Sequence, residues 1–300
     1  MKKIMIIGAS GFLGSHLLSE LLKDDFEIIA IQNQNPVAKN KKLKIIYGGI
    51  KSITTELIDQ VNPDVIFHCA RPTMPKLKRA GRILASHKAS SYNKALLKNI
   101  RASQKKPSLV FASGSLIYGN SLLPHNETAK INPLSYSKQY YKGELPFINS
   151  LNSDNLRIKI IRFPWLLGDG SWFKWFYLNN ILQHNAILTF GSKENMMEII
   201  DVIDAARVMK LLALNNENNG ILNVPSSGAI SQKEFANLMA DTFKVPIIDY
   251  GEILNGKIES EAYDAFTSNI LLATSSRDLL DFQYTPIHSS LKKIKESYIV

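Results

Sequence analysis

The 300 residues suffice for one large domain or two closely associated ones. An apolar share of 45% suits a globular protein, and no apolar run approaches the roughly 20 residues that span a bilayer. The formal charge of +10 comes from lysines along the whole chain, densest at 39–44, 76–82 and 291–295, without interleaved aromatics or a nucleic-acid-binding module. That excess reads as a solvated surface, or as attraction for a phosphorylated cofactor or substrate; neither nucleic acid nor membrane is an expected partner.

Cys69 is the single cysteine, which excludes an internal disulfide or a cysteine-based metal site and reads as a buried, inert thiol. It fits a cytoplasmic protein. The start, MKKIMIIGAS, has the look of a signal peptide, but its short apolar stretch runs into a glycine motif and reads as a first strand.

In chain order, strands are expected at 3–7, 26–31, 43–47, 65–69, 109–112 and 157–161. A glycine turn covers 8–14, and helices are expected over 15–23, from 54 to 60 with Ser52 or Thr54 as cap, and within 80–104. Asn62-Pro63-Asp64 is a turn. Apolar strands alternating with helices imply an α/β fold of Rossmann type, a doubly wound parallel sheet covered on both faces. After Arg162, Pro, Gly and aromatics dominate 163–191. Asp204 reads as the cap of a helix over 205–214, and Ser231-Gln232-Lys233-Glu234 as a capping box opening a helix over 232–243. The expected division is a nucleotide-binding domain over 1–162, with 197–215 returning to it, and a smaller, interleaved C-terminal substrate lobe over 163–196 and 216–300.

The turn GASGFLG places Gly8, Gly11 and Gly14 between a strand and a helix. Such a turn must be tight, and backbone must approach a pyrophosphate. The amides of Ser10, Gly11, Phe12, Leu13 and Gly14 then offer N–H groups to phosphate at the helix start.

The GxxGxxG spacing, with NPDVIFHCA, FASGSLIYG, IRFPWLLG, IIDVIDAARV, ILNVPSSGAIS and the tail TSSRDLLDFQYTPIHSSLKKI, resembles the extended (atypical) short-chain dehydrogenase/reductase family over nearly the whole chain. Its members include NAD-dependent nucleotide-sugar epimerases and dehydratases. The resemblance implies hydride transfer between a nicotinamide cofactor and a hydroxylated small-molecule substrate such as a nucleotide sugar. Members commonly dimerise through two helices, one of them here bearing Tyr136, so a homodimer is among the implied assemblies.

Four positions depart from the family pattern. Gln32, followed by Asn33, stands where the second strand usually ends in a ribose-binding aspartate. A neutral amide can bond a ribose without repelling a 2′-phosphate, and Lys39, Lys41 and Lys42 follow, so the cofactor is NAD or NADP with NADP favoured. Gly49 replaces an aspartate expected near adenine. Ala70 and Arg71 follow the fourth strand in the expected cofactor groove, where Arg71 either meets phosphate or caps a loop. Counting back four from Tyr118 gives Gly114 where a hydroxyl is expected, flanked by Ser113 and Ser115; a twist of the loop would present Ser115.

The fourth departure concerns SYSKQYYKGE, residues 135–144. In the resembled family a tyrosine and a lysine four residues on act together, the ammonium lowering the phenol pKa and binding ribose. Tyr136 and Glu144 keep that frame, and it puts Tyr140 at the lysine position. Residues four apart lie about 40° apart around a helix, whereas Lys138 and Lys142 lie about 200° and 120° from Tyr136. Neither supplies the missing charge. A phenol with pKa near 10 is under about 0.1% ionised at pH 7, so Tyr136 is better suited to donate a proton than to take one. Tyr136, Tyr140 and Ser115 are the catalytic candidates, against an aromatic packing pair on one helix face.

Trp165 falls where many members have a substrate-contacting asparagine, and Trp172 opens an aromatic run through Tyr177. These rings suit stacking on bases or sugars, or equally a core or dimer contact. Asp201 is surface or pocket; His68 and His125 are isolated, and no metal site is expected. The expectation is an NAD(P)-dependent enzyme with an altered active site. The alternatives are a catalytically degenerate dinucleotide-binding protein, which would use the cofactor structurally or as a redox signal, and an enzyme of different, non-redox chemistry.

Overall fold

The computed structural model describes residues 1–74, 78–152, 156–189, 193–215, 219–249 and 260–298. Part of the lysine-rich stretch 76–82 lies outside them. The chain forms two compact units: Met1–Ser113 with Lys138–Arg162 and Ala206–Leu222, and Gly114–Ser137 with Phe163–Ala205 and Asn223–Val300.

The first unit is built on β1 (Lys3–Ile7), α1 (Phe12–Leu21), β2 (Glu27–Gln32), β3 (Leu43–Tyr47), α2 (Thr55–Val61), β4 (Val65–His68), α3 (Lys78–Ala102), β5 (Ser108–Gly114), α4 (Ser135–Ile148) and β6 (Ile158–Phe163). With β10 (Gly220–Asn223), six of these make a seven-stranded sheet of order β10-β6-β5-β4-β1-β2-β3. The pairs β1–β2, β2–β3, β1–β4 and β4–β5 are parallel. The first three strands fill the sheet one way from β1; β4 then starts the other side. The order reverses between β1 and β4, and in such sheets the crevice at the carboxyl ends of those two strands is where ligands bind.

Buried apolar strands explain the sheet: all four residues of β4 and all six of β6 are buried, as helices on both faces require. One layer packs Ile7, Ile29 and Ile66 against Ile58, Leu96, Ile100 and Phe147 from α2, α3 and α4. Helix α1 starts at Phe12, three residues before the expected position, because extended Gly11 (φ −79°, ψ 170°) already acts as its N-cap. Thr54 caps α2 through the amide of Leu57, and Asn62 closes that helix in the left-handed region at φ 52°.

The second unit is less regular. β7 (Trp165–Leu167), α5 (Asn179–His184), β8 (Ile187–Thr189), β9 (Met196–Asp201), β11 (Ala229–Ser231), α7 (Gln232–Phe243), β12 (Ile247–Asp249), α8 (Ser260–Phe266), α9 (Arg277–Leu280) and α10 (Ile287–Tyr298) belong to it. β11-β9-β7 form one small sheet and β12-β8 another. A π-helical turn, Lys174–Leu178, leads into α5 and carries Tyr177 and Leu178 inward. The capping box of α7 forms between Ser231 and Glu234.

Helix α6 runs over Val202–Leu214. Its cap corrects the sequence reading: Asp201, not Asp204, accepts from the Ile203 amide at 2.8 Å. Asp204 lies inside the first turn and accepts from the Thr285 amide at 2.5 Å. Among the described residues no helix is long and apolar enough to cross a membrane.

Candidate active site and cofactor cradle

The turn after β1 is shaped by two glycines. Gly8 has φ +88°, and a Cβ there would lie 2.7 Å from the Ala70 backbone nitrogen. A Cβ on Gly14 would lie 2.0 Å from the Gly8 carbonyl oxygen. No side chain could be added at either position without moving backbone, so the turn lies directly against the end of β4. Gly11 donates to the Gly8 oxygen at 2.9 Å and opens α1 without any side-chain cap. The first-turn amides of Phe12, Leu13 and Gly14 therefore keep the anion-binding character of a helix start. No acidic residue occupies that turn. Ser10 and Phe12 are half-buried and Leu13 is buried. This cradle fits the diphosphate of a dinucleotide.

At the end of β2, the Gln32 side-chain oxygen accepts from the Val37 amide at 2.8 Å, folding the following loop back. The acceptor that sequence reasoning offered to ribose is thus already engaged once. Asn33 lies 3.7 Å from where a Gly49 Cβ would stand, so its amide borders the space of the missing aspartate. Beside the glycine turn, a cavity of about 290 Å³ is lined by Ser10, Ser15, Ser19, Lys39 and Asn40 among others.

Three strand ends face α4. After β4, the Arg71 guanidinium lies over the Tyr140 ring, 3.9 Å from its centroid. At the end of β5, the Ser113 hydroxyl donates to one Glu144 oxygen in a short bond. From β6, Arg162 grips the other Glu144 oxygen through Nε at 3.1 Å and a terminal nitrogen at 2.6 Å. Both charged side chains of that pair are 1% exposed. Burial and the Glu144 charge raise the pKa of Tyr141, with Arg162 opposing.

His68 is buried one layer in. Its Nε2 lies 2.9 Å from Asn93 Oδ1, and Asn93 donates its own N–H to the Gly143 carbonyl at 2.8 Å. With the Asn93 oxygen facing it, Nε2 carries the proton. Burial holds the imidazole pKa down to about 4, so it is a neutral brace between β4, α3 and α4. Burial pushes the Cys69 thiol up to about 12, which leaves it unreactive.

Tyr136 is half-buried at the second position of α4, one turn before Tyr140. Strand β5 extends through Gly114, and a 3-10 turn begins at Ser115, which is 2% exposed. The two serines flanking Gly114 are therefore unequal: Ser113 is spent on Glu144, and Ser115 is buried in the turn. Tyr118 is also buried, stacking on His125 at 4.9 Å and bonding Asn223 at 2.8 Å.

Trp165 and Trp172 meet edge to face at 5.1 Å, and both pack against Phe266, at 5.4 and 5.5 Å. Trp172 also touches Phe173, Tyr177 and Phe235. The aromatic run thus builds the core of the second unit, with Trp175 left 70% exposed. Among the described residues no group of His, Cys, Asp and Glu is gathered as a metal ion would need.

Sequence reasoning passed over Arg162. Its signal was a guanidinium inside the wholly buried strand IKIIRF, which must find hydrogen-bonding partners there. The acceptor, Glu144, is eight residues beyond Tyr136 on the same helix.

Residues 4–224 match the NAD dependent epimerase/dehydratase family. The UDP-glucuronate 4-epimerase 4 of Arabidopsis thaliana is 24% identical, over 99% of this chain and 75% of that protein. Two enzymes of solved structure share the fold. A UDP-N-acetylglucosamine 4-epimerase of Methanobrevibacter ruminantium, in complex with UDP-N-acetylmuramic acid, has TM-score 0.81 at 19% identity, covering 99% of this chain and 98% of that one. The dTDP-glucose 4,6-dehydratase DesIV of Streptomyces venezuelae, with NAD and TYD bound, has TM-score 0.80 at 16% identity, covering 99% and 96%. With its glycine turn at the β1/β4 crossover and a matching stretch that covers most of its length, this chain belongs to the NAD-dependent epimerase/dehydratase family.

Proposed function

We propose that this protein is an epimerase or dehydratase of nucleotide sugars with a modified acid–base apparatus. The observation that carries the reading is the glycine turn, whose Gly8 and Gly14 leave no room for a side chain against the β4 end and the turn itself. When bound, the nicotinamide supplies hydride acceptance and return at a sugar carbon. The amides of Phe12, Leu13 and Gly14 hold the diphosphate. Ala70 and Arg71 line the crevice beside it, and Gln32 and Asn33 stand at the adenosine end. With Lys39 nearby and amides in place of a carboxylate, that end favours NADP over NAD.

Tyr136 exchanges the proton of the reacting sugar hydroxyl, and Ser115 supports the same oxygen. One turn on, where the family has a lysine, stands Tyr140.

The test is conversion of a panel of UDP- and dTDP-sugars with NAD or NADP, followed by chromatography of the products. Conversion by the parent and its loss in Tyr136→Phe, with coenzyme affinity intact, supports the assignment; a fully active Tyr136→Phe removes Tyr136 from the mechanism. A second reading rests on Tyr140 at the lysine position together with a buried Ser115 and an engaged Ser113. It is a dinucleotide-binding protein without turnover, and tight coenzyme binding without conversion of any sugar in the panel would select it.

A further inference from the structure

Arg71 and Tyr140 come from distant parts of the chain, 69 positions apart by number, yet meet with the guanidinium 3.9 Å above the ring centroid. Arg71 directly follows Ala70, whose backbone nitrogen lies 2.7 Å from the position of a Gly8 Cβ. The guanidinium is therefore anchored at the carboxyl end of β4, beside the glycine turn, where the strand order reverses. Arg71 is exposed, while Tyr140 is half-buried and fixed on α4. An arginine stacked on a ring keeps its N–H edge available for planar, two-point bonding to phosphate oxygens. The neighbouring carboxylate of α4, Glu144, is taken by Arg162 and Ser113, so the charge on Arg71 is not drawn to it.

We propose that Tyr140 is a positioning residue: its ring is a platform that holds the Arg71 guanidinium over the crevice, where it binds the ribose–diphosphate linkage of the nicotinamide coenzyme. The proposal rests on the dinucleotide reading above and assigns Tyr140 no proton transfer. It also gives the replacement of a lysine by Tyr140 a function. The cation is supplied by another strand, and the helix supplies its seat. A lysine returned to position 140 would set two positive charges against each other and remove the seat.

Calorimetry with NAD and with NADP tests it on the full-length parent, Arg71→Ala, Tyr140→Phe, Tyr140→Ala, Tyr140→Lys and the Arg71→Ala/Tyr140→Ala pair, each checked by circular dichroism and thermal melting. Arg71→Ala and Tyr140→Ala are expected to weaken binding roughly 2- to 30-fold each, the range of a cation–ring contact. The double variant is expected to lose no more than the worse single, because the two act as one device. Tyr140→Phe keeps the platform and is expected to stay within about threefold of the parent, while Tyr140→Lys falls with Tyr140→Ala. Should Tyr140→Ala fail to fold, the contrast of Tyr140→Phe with Tyr140→Lys and the Arg71→Ala loss decide. A Tyr140→Lys variant that binds as tightly as the parent or better overturns the proposal. So does an Arg71→Ala variant of unchanged affinity, or losses that add in the double variant. In those cases a parent that still binds coenzyme leaves the dinucleotide reading standing. A parent that binds neither coenzyme overturns both.

Discussion

Glu144 and Glu198, one in each unit, are buried to 1% and 7% exposure, yet their surroundings differ in kind. Glu144 has a guanidinium on one oxygen and a hydroxyl on the other. Glu198, on β9, has one oxygen on the Leu272 amide at 3.2 Å, and no hydrogen bond reaches the other among the described residues. Burial drives its pKa up to about 7, with the Leu272 amide opposing. The Tyr284 phenol is pushed up by burial and by the Asp204 and Glu198 carboxylates. The contrast teaches that what burial does to a carboxyl depends on the partners it finds. The first unit uses its buried carboxylate as a rigid joint between α4, β5 and β6. The second keeps a carboxyl whose charge changes near neutrality.

The largest expected effect comes from removing the partner in the first unit. Arg162→Met leaves Glu144 buried and unpaired and should cost about 3–5 kcal/mol of stability. Urea unfolding measures it, and Arg162→Met with Glu144→Gln should recover much of the loss. A loss under about 1 kcal/mol for the single change would mean that the pair is not the joint described.

Glu198→Gln comes next, and its sign depends on pH. Between the ordinary value of 4.5 and the folded value of about 7, the folded protein holds more protons at this site than the unfolded chain. Stability therefore falls as pH rises through that window and is fully reduced above it. The amide should stabilise the protein at pH 8 by on the order of 3 kcal/mol at most, and little at pH 4. His68 acts in the opposite sense: its depressed value of about 4 means that stability rises with pH between 4 and 6.5. The Glu198→Gln variant should thus gain stability steadily from pH 4 to 6.5 and then level off. A parent and a variant with parallel profiles would remove Glu198 from the account.

Ser113→Ala takes only the hydroxyl from Glu144 and should cost about 1–2 kcal/mol, read from the same unfolding curves. The smallest effect belongs to Glu234, an exposed glutamate whose pKa is lowered by the Ser231 amide and hydroxyl. Glu234→Gln can still close the capping box, so its melting temperature should shift less than that of any change above.

Much of the first unit was legible because backbone geometry writes itself into residue type. Gly8 and Gly14 stand where no Cβ fits, Thr54 and Ser231 stand where helix amides need an acceptor, and apolar runs stand where strands are covered on both sides. The second unit was harder: β7, β8, β11 and β12 have three residues each, too short for any periodicity to register. Asp204 looked like a cap because it precedes an apolar helix, but Asp201, three residues earlier, has the extended strand end that a cap requires. Trp165 and Trp172 could equally have been an open stacking surface or a core, since composition does not tell which way a ring faces.

From the order of residues alone came the doubly wound sheet and the tight glycine turn, because each depends on neighbours along the chain. Which charges meet was decided only in three dimensions. Arg71 on Tyr140, Arg162 and Ser113 on Glu144, and Asn93 on His68 are contacts between distant segments, and side-chain partners of that kind are chosen by packing after the backbone has brought the strand ends together.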